Sequence, residues 1–258
     1  MGIGVATVWR SKTLQLIAAV AATVPSLRQK QVRAVFWQQF IRLGLDPAAS
    51  IFFRAAMIGT IIIAYVIKVL ASNSGMAVDF LVYAVVREVG PLLTAILLIL
   101  RSSVLVTGDV LGMVRRDELV RMRAMGLSPL VQVFLPRVAA LALACVVVTF
   151  YFELIAVLGG ILLASLLLDI SLTGMLSGFF DTLRLVDLVY SLIKSAAFGV
   201  LLGIVPCVAA LRSGRSASDP VAVVSRSMMT TLMYVTVFNA LFAWLVYGVL
   251  LFGIVKNG

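Results

Sequence analysis

Long apolar runs, broken by short polar islands, make up most of this chain. The first run, Ala48–Ala71, is closed by Ser72-Asn73-Ser74-Gly75, which is turn chemistry. The second extends from about Val78 to Val114 and carries Arg87-Glu88 and Gly90-Pro91 inside it. Proline removes one helical hydrogen bond and crowds the preceding turn, so a kinked or broken helix is predicted there. The third, Val133–Leu168, contains Glu153 and Gly159-Gly160 and reads either as one long bent helix or as a span plus a re-entrant piece. The polar stretch DISLTGMLSGFFDTLRLVD, expected as an outside segment, leads to a fourth run, Leu188–Leu211. RSGRSASDP then forms a loop before a fifth, Met229–Val255. A spanning helix needs about 20 apolar residues, so the pattern predicts five transmembrane helices.

Residues 1–47 differ in kind. Leu14–Val24 is too short to span, and the segment SLRQKQVRAVFWQQFIRLG places Val32, Phe36 and Phe40 at i, i+4, i+8 among cations. That periodicity predicts an interfacial amphipathic helix. The alternative is a cleaved signal peptide, from basic residues ahead of a short apolar run and the small residues Ala18–Ala22. Asp46-Pro47 ends this region, and 48–258 forms the transmembrane part. The predicted fold is an all-α polytopic membrane protein: an N-terminal interfacial helix, five transmembrane helices and a short cytoplasmic helix at about 116–126.

Composition agrees. Of 258 residues, 62% are hydrophobic and 12% charged, and the mean hydropathy is +1.15, far outside the range of soluble domains. The net charge of +10 reports topology and anionic-lipid contact rather than nucleic-acid binding. Segments 1–54, 101–137 and 211–226 hold sixteen of the 21 Lys and Arg, which puts them, and the amino end, on the cytoplasmic side. Five spans then leave the carboxyl end outside. Cys145 and Cys207 lie in apolar runs without metal or disulfide spacing. With no histidine and no G-x-x-x-x-G-K-[S/T] loop, neither a histidine-based catalytic relay nor a P-loop nucleotide site is present. No catalytic or metal-ligating residues are assigned, and energy must come from a partner or a gradient.

The most charged island is RRDELVRMRAMGLSP, residues 115–129. As a helix it carries Asp117 and Glu118 in its first turn and Arg121 and Arg123 in its last, matching the macrodipole, with Asp117 and Arg121 spaced i,i+4. Leu119, Met122 and Met125 form a narrow apolar stripe, Gly126 suits the position just past the helix, and Pro129 prevents continuation. A solvated turn and a helix docking into a partner's groove both fit this pattern.

Ionisable residues inside apolar runs are expensive and point to function. Arg87 and Glu88 stand before Gly90-Pro91, where they either line a cavity or pair with other helices to hold the kink. Asp187 and Lys194, spaced i,i+7, fit an internal pair or a lipid-phosphate contact, with snorkelling as the alternative for Lys194. Arg226 heads the last span, where positive-inside bias accounts for it as readily as phosphate attraction. Glu153 is expected to be satisfied by a neighbour or to lie near the outer surface. Of three Gly-x-x-x-Gly matches, only 199/203 falls inside a span as a helix-packing pair.

The block REVGPLLTAILLILRSSVLVTGDVLGMVRRDELVRMRAMGLSP resembles the signature region of the MlaE/YrbE family, and Pro136-Arg137, Gly159-Gly160, SGFF at 177–180, DLVYSLIKSAAFG at 187–199 and Ser225-Arg226 continue the likeness. Those proteins are permease subunits of ABC systems that work with MCE proteins to move phospholipid or related lipids. The resemblance implies an interfacial helix with five spans, in a bacterial inner membrane. It also implies a cytoplasmic ABC ATPase that carries the ATP and Mg2+, a second permease copy, identical or related, and a periplasmic MCE-domain protein. A lipid pocket at Arg87, Glu88, Asp187, Lys194 and Arg226 is implied, as is coupling to the ATPase through Asp117, Glu118, Leu119, Arg121, Met122, Met125 and Gly126. Ser102-Ser103, Asp109, Asp117, Ser128-Pro129 and Asn239 depart from the family pattern and mark a divergent member. The alternatives are a gradient-driven secondary transporter using Glu88, Asp187 and Lys194, and a membrane anchor without transport.

The topology is tested by single cysteines. One placed near Gly258 is expected to react with an impermeant thiol reagent in spheroplasts and one near Ser213 to stay unlabelled; labelling of both contradicts five spans.

Overall fold

The computed structural model describes residues 25, 29–46, 53, 57, 59–61, 65, 68–69, 81–168, 171–214 and 219–257. Among the described residues there are eight α-helices and no strands. They are α1 (Lys30–Phe40), α2 (Gly90–Leu98), α3 (Val104–Arg115), α4 (Glu118–Ala124), α5 (Leu135–Leu168), α6 (Leu172–Thr182), α7 (Leu185–Ser213) and α8 (Pro220–Asn257). Four stretches are long and apolar enough to cross a bilayer: Val85–Arg115, Leu130–Leu166, Leu185–Ser213 and Pro220–Val246. This is an all-α polytopic membrane protein. Most of the first expected span, Ala48–Ala71, and the N-terminal signal-peptide alternative lie outside the described residues.

The second span bends its hydrogen-bond ladder rather than breaking. Its backbone is π-helical over Leu81–Val89, α-helical through α2, and π-helical again over Ile99–Ser103 before α3. Wider π-helical turns thus flank the stretch around Pro91, where a disturbance is predicted. The third block is one continuous helix of 34 residues, about 51 Å at 1.5 Å per residue, so the re-entrant alternative does not apply. The stretch expected as a plain outside segment contains α6, begun by Ser171, whose Oγ accepts from the Gly174 N–H at 3.3 Å. The last helix starts nine residues before the expected Met229. Asp219 Oδ1 accepts from the Val221 N–H at 2.9 Å and Pro220 occupies the first helical position, where its missing N–H costs nothing.

The charged island is a helix, as its spacing predicts, but shorter. Asp117 lies before α4 in a left-handed conformation (φ 59°), so Glu118 is the only acid in the first turn. At the other end Gly126 has φ 77°, with its N–H on the Arg123 carbonyl at 3.0 Å and the Leu127 N–H on Met122 at 2.9 Å. That paired closure is the Schellman stop that glycine permits. Helix α4 packs against α3.

The chain divides into two compact units. One comprises Met1–Ala49, Leu97–Val146 and Ala196–Thr231. Its core gathers Val32 of α1, Leu135 and Val138 of α5, and Ile204 and Val208 of α7. The apolar side of α1 is thus turned into the protein at Val32 and Phe40, leaving Trp37 and Ile41 exposed. Gly199 and Gly203 let α7 approach α5: a Cβ at 199 would meet Ala142 Cα at 2.5 Å, and one at 203 would meet Val138 Cα at 2.7 Å. Asp109 of α3 gathers two cations, Arg42 at 2.8 Å and the buried Arg137 at 3.9 Å, while Ser102 Oγ donates to the Leu43 carbonyl at 2.7 Å.

The other unit comprises Ser50–Ile96, Val147–Ser195 and Leu232–Gly258. Thr94 and Thr149 hydroxyls meet at 2.7 Å, pinning α2 to α5. The Tyr190 ring packs on Phe242, which stacks on Phe238, joining α7 to α8.

Gly203→Val forces backbone apart and is expected to lower stability in detergent by about 1–3 kcal/mol. Gly108→Ala, where a Cβ meets nothing within 4 Å, is expected to leave it unchanged or raise it. Thermal unfolding of both variants provides the measurement; equal loss in both would show that close helix approach is not what glycine 203 provides.

Candidate functional site

The site begins with a missing atom. Pro91 has no N–H, so the α-helical donor to the Arg87 carbonyl does not exist. Lys194 Nζ takes that place, donating to Arg87 O at 3.2 Å and to Glu88 Oε2 at 2.6 Å. Lysine reaches this point because Asp187, Tyr190, Ser191 and Lys194 recur at i, i+3, i+4 and i+7, one face of α7. From that face Asp187 Oδ1 pairs with Arg87 Nε at 3.5 Å, and its Oδ2 accepts from the Arg184 N–H at 3.1 Å, holding the start of the helix. Tyr190 donates its hydroxyl to Glu88 Oε1 at 3.3 Å. Its ring lies 4.8 Å from the Arg87 guanidinium carbon and 5.6 Å from Lys194 Nζ, within cation–π range of both.

Four of the expected pocket residues, Arg87, Glu88, Asp187 and Lys194, therefore converge in one unit, with pairings that spacing along one helix does not give. Lys194 bonds to Glu88 rather than to Asp187. It is 0% exposed, which overturns the snorkelling alternative. Arg226 does not join this cluster: it is exposed near the start of α8, where its carbonyl accepts from Thr230 Oγ1 at 2.7 Å. Buried ion pairs of this kind depend on both partners, since removal of one leaves an uncompensated charge and costs about 3–5 kcal/mol.

Tyr190 and Ser191 are additions to the expected residues, and for Glu153 the expectation was a satisfying neighbour or a place near the outer surface. Ser191 Oγ donates to Glu153 Oε1 at 2.5 Å, so the neighbour expected for Glu153 exists. A signal was present for both α7 residues, because they share the face already marked by Asp187 and Lys194. Asp109 is a second omission: the side chain noted as a departure from the family pattern gathers Arg42 and Arg137.

The island's surface also differs from the expected stripe. Leu119 is buried within the chain and Met122 is half-buried, whereas Met125, Val120 and Leu127 are exposed. The outward apolar patch is therefore Val120, Met125 and Leu127, bordered by the exposed Arg121 and Arg123. Arg116 Nε meets Glu118 Oε1 at 2.9 Å at the start of α4. The short helix packs on α3 and turns Leu119 inward, while part of its apolar side is exposed.

The chain is an all-helical membrane protein with paired charges buried in its spans and a capped helix between two of them. The family is shown directly: the model of the family described as Permease MlaE matches residues 36–245, and the chain belongs to that family. A probable ABC transporter permease protein of Rickettsia typhi is 23% identical over 168 residues, covering 65% of this chain and 65% of its own length. A probable ABC transporter permease protein of Synechocystis is 25% identical over 161 residues, 62% of this chain and 61% of the relative. The chain thus spans less than two thirds of the length of the curated relatives it matches.

Lys194→Met is expected to destabilise the protein by about 3–5 kcal/mol, because it removes the buried ammonium that pairs with Glu88 and donates to the Arg87 carbonyl. Adding Glu88→Gln should restore part of that loss. A double-mutant cycle in thermal unfolding reads the coupling, expected within about 0.5–3 kcal/mol, and strict additivity would show that the two side chains act independently.

Proposed function

We propose that this protein is the membrane-spanning permease subunit of an ABC transporter that moves phospholipid or a related lipid between a bacterial inner membrane and a periplasmic MCE-domain protein. A separate cytoplasmic ATPase, binding ATP and Mg2+, powers it. The observation that carries this reading is α4, in a chain of a permease family: a short helix, closed by a Schellman stop, that presents Val120, Met125 and Leu127. An apolar patch ringed by arginines suits a groove on a soluble partner. In this reading the ATPase holds α4 and moves α3, on which α4 packs. The lipid headgroup meets the Arg87–Asp187 and Glu88–Lys194 pairs, and because both cations already have partners, an anionic headgroup binds by displacing a carboxylate.

A second permease copy, identical or related, completes the subunit. In its apolar 18-residue stretch the last candidate span has only 11% of its residues buried, against 50–61% in the corresponding stretches of the other three. Met229, Met233, Val237, Leu241 and Leu245 form an exposed stripe at i+4 spacing along it. Such a helix suits packing against another protein surface as well as lipid. The amino end is cytoplasmic and the carboxyl end periplasmic in this arrangement.

The test is co-purification of the ATPase with variants of α4. Met125→Asp puts a carboxylate into the apolar contact, a burial cost of a few kcal/mol, and is expected to release the ATPase without impairing membrane insertion. Arg226→Ala serves as the control and should retain it. Wild-type stoichiometry in Met125→Asp would remove the coupling role of α4. Lipid transfer that follows an ion gradient without ATP would favour the gradient-driven alternative, in which Glu88, Asp187 and Lys194 relay charge.

A further inference from the structure

The four charges of the ionic cluster admit more than one pairing. Asp187 and Lys194 share a face of α7 at i,i+7, about 10.5 Å apart along the axis. Helical side chains leave the backbone tilted toward the amino end, which for Lys194 is the direction of Asp187. The pairs that form run instead from α7 to the second span, Lys194 to Glu88 at 2.6 Å and Asp187 to Arg87 at 3.5 Å. Both tie two helices together, whereas a bond between Lys194 and Asp187 would tie α7 only to itself. Tyr190 stands between them on the same face, three residues after Asp187 and four before Lys194. Its ring lies within cation–π distance of both cations, and its hydroxyl donates to Glu88 Oε1, the oxygen that Lys194 does not take. The ring is itself backed by α8: Phe242 lies 5.2 Å away and stacks on Phe238 at 5.6 Å.

We propose that Tyr190 is a positioning residue that keeps Lys194 on Glu88 and off Asp187, and that Phe242 of α8 holds its ring in place to do so. The ring occupies the stretch of α7 that a lysine turned toward Asp187 would cross. It attracts both cations without neutralising either, which leaves each free to take a carboxylate from the facing helix. The hydroxyl fixes Glu88, whose side chain is 25% exposed and the least enclosed of the four, so that Oε2 meets the ammonium. Packing on α8 thereby decides how firmly α7 is tied to the second span. The consequence for transport rests on the proposed permease reading, in which these pairs open to a headgroup; the choice of partner does not.

Double-mutant cycles on the full chain, purified in detergent without an ATPase, read the pairing. Glu88→Gln with Lys194→Met is expected to show a coupling of about tenfold in the unfolding equilibrium constant, and Asp187→Asn with Lys194→Met no more than about twofold. In the Tyr190→Leu protein the order is expected to reverse, with Lys194 coupled to Asp187 and no longer to Glu88. Phe242→Leu should move both couplings the same way by a smaller factor. Tyr190→Phe keeps the ring and should leave the Asp187–Lys194 coupling at its wild-type size. A residue that only fills space lowers stability without exchanging partners, so unchanged couplings in Tyr190→Leu overturn the proposal. If that variant does not fold, unchanged couplings in Phe242→Leu overturn it instead. An Asp187–Lys194 coupling in the wild-type protein as large as that of Glu88 with Lys194 overturns it with no aromatic variant at all. Neither lipid transfer nor ATP is involved, so failure here leaves the permease reading standing, and failure of the ATPase to co-purify leaves the pairing untouched.

Discussion

The absent N–H of Pro91 is the constraint around which the second unit is organised. In water the freed carbonyl of Arg87 would be hydrated. Within an apolar span it needs a protein donor, and the donor here is an ammonium group. Lys194 cannot be buried there alone, so Glu88 neutralises it; Arg87, the neighbour of Glu88, needs Asp187 in turn. The Lys194 bond to the Arg87 carbonyl and the two ion pairs thus meet at one place, against the polar face of α7 that supplies both partners. Tyr190 joins the pairs through its ring and its hydroxyl, so that the cluster behaves as a network rather than as separate bridges.

The other unit solves a different problem, close approach of apolar helices. Lipid tails are as apolar as leucine, so burial alone does not hold spans together in a bilayer, and contact distance matters more. Gly199 and Gly203 bring α7 onto the backbone of α5, and Val32 of α1 completes the same core. Asp109 then joins three segments at one carboxylate, Arg42 from the stretch after α1, its own helix α3, and Arg137 from α5. Since α4 follows α3 almost directly, a force applied to α4 would act on a helix that is already tied to its neighbours by charge. That is the physical content of a coupling role for the island.

This chain places polar atoms where apolar sequence predominates. The ionic cluster, the Asp109 junction and the carboxyl of Glu153 are each costly to bury, and each is held by partners from other segments. The exposed side of α8 and the outward patch of α4 are the opposite case, apolar surface that the chain itself does not cover. Both features belong to a chain of the MlaE permease family.

What could be read from sequence alone was whatever is decided within a few residues. Hydropathy located the four spans that lie within the described residues, Gly126 and Pro129 marked where α4 stops, Gly-Pro at 90–91 marked the disturbed helix, and Gly199-x-x-x-Gly203 marked a packing face. Asp219-Pro220 carried the same kind of local signal for the start of α8, and Ser171 did so for α6, although runs of apolar residues concealed both. Pairings across the chain were not legible. Asp187 and Lys194 share a helix face at i,i+7 and look like partners, yet each bonds instead to a residue about a hundred positions away, because the rotation of α7 against the second span sets the distances. The inward turn of Leu119 and the setting of Glu153 between Ser191 and Gly90 were decided in the same way. Local backbone chemistry is written in adjacent residues, whereas the identity of a buried partner depends on how two helices are rotated and packed, which only the tertiary structure determines.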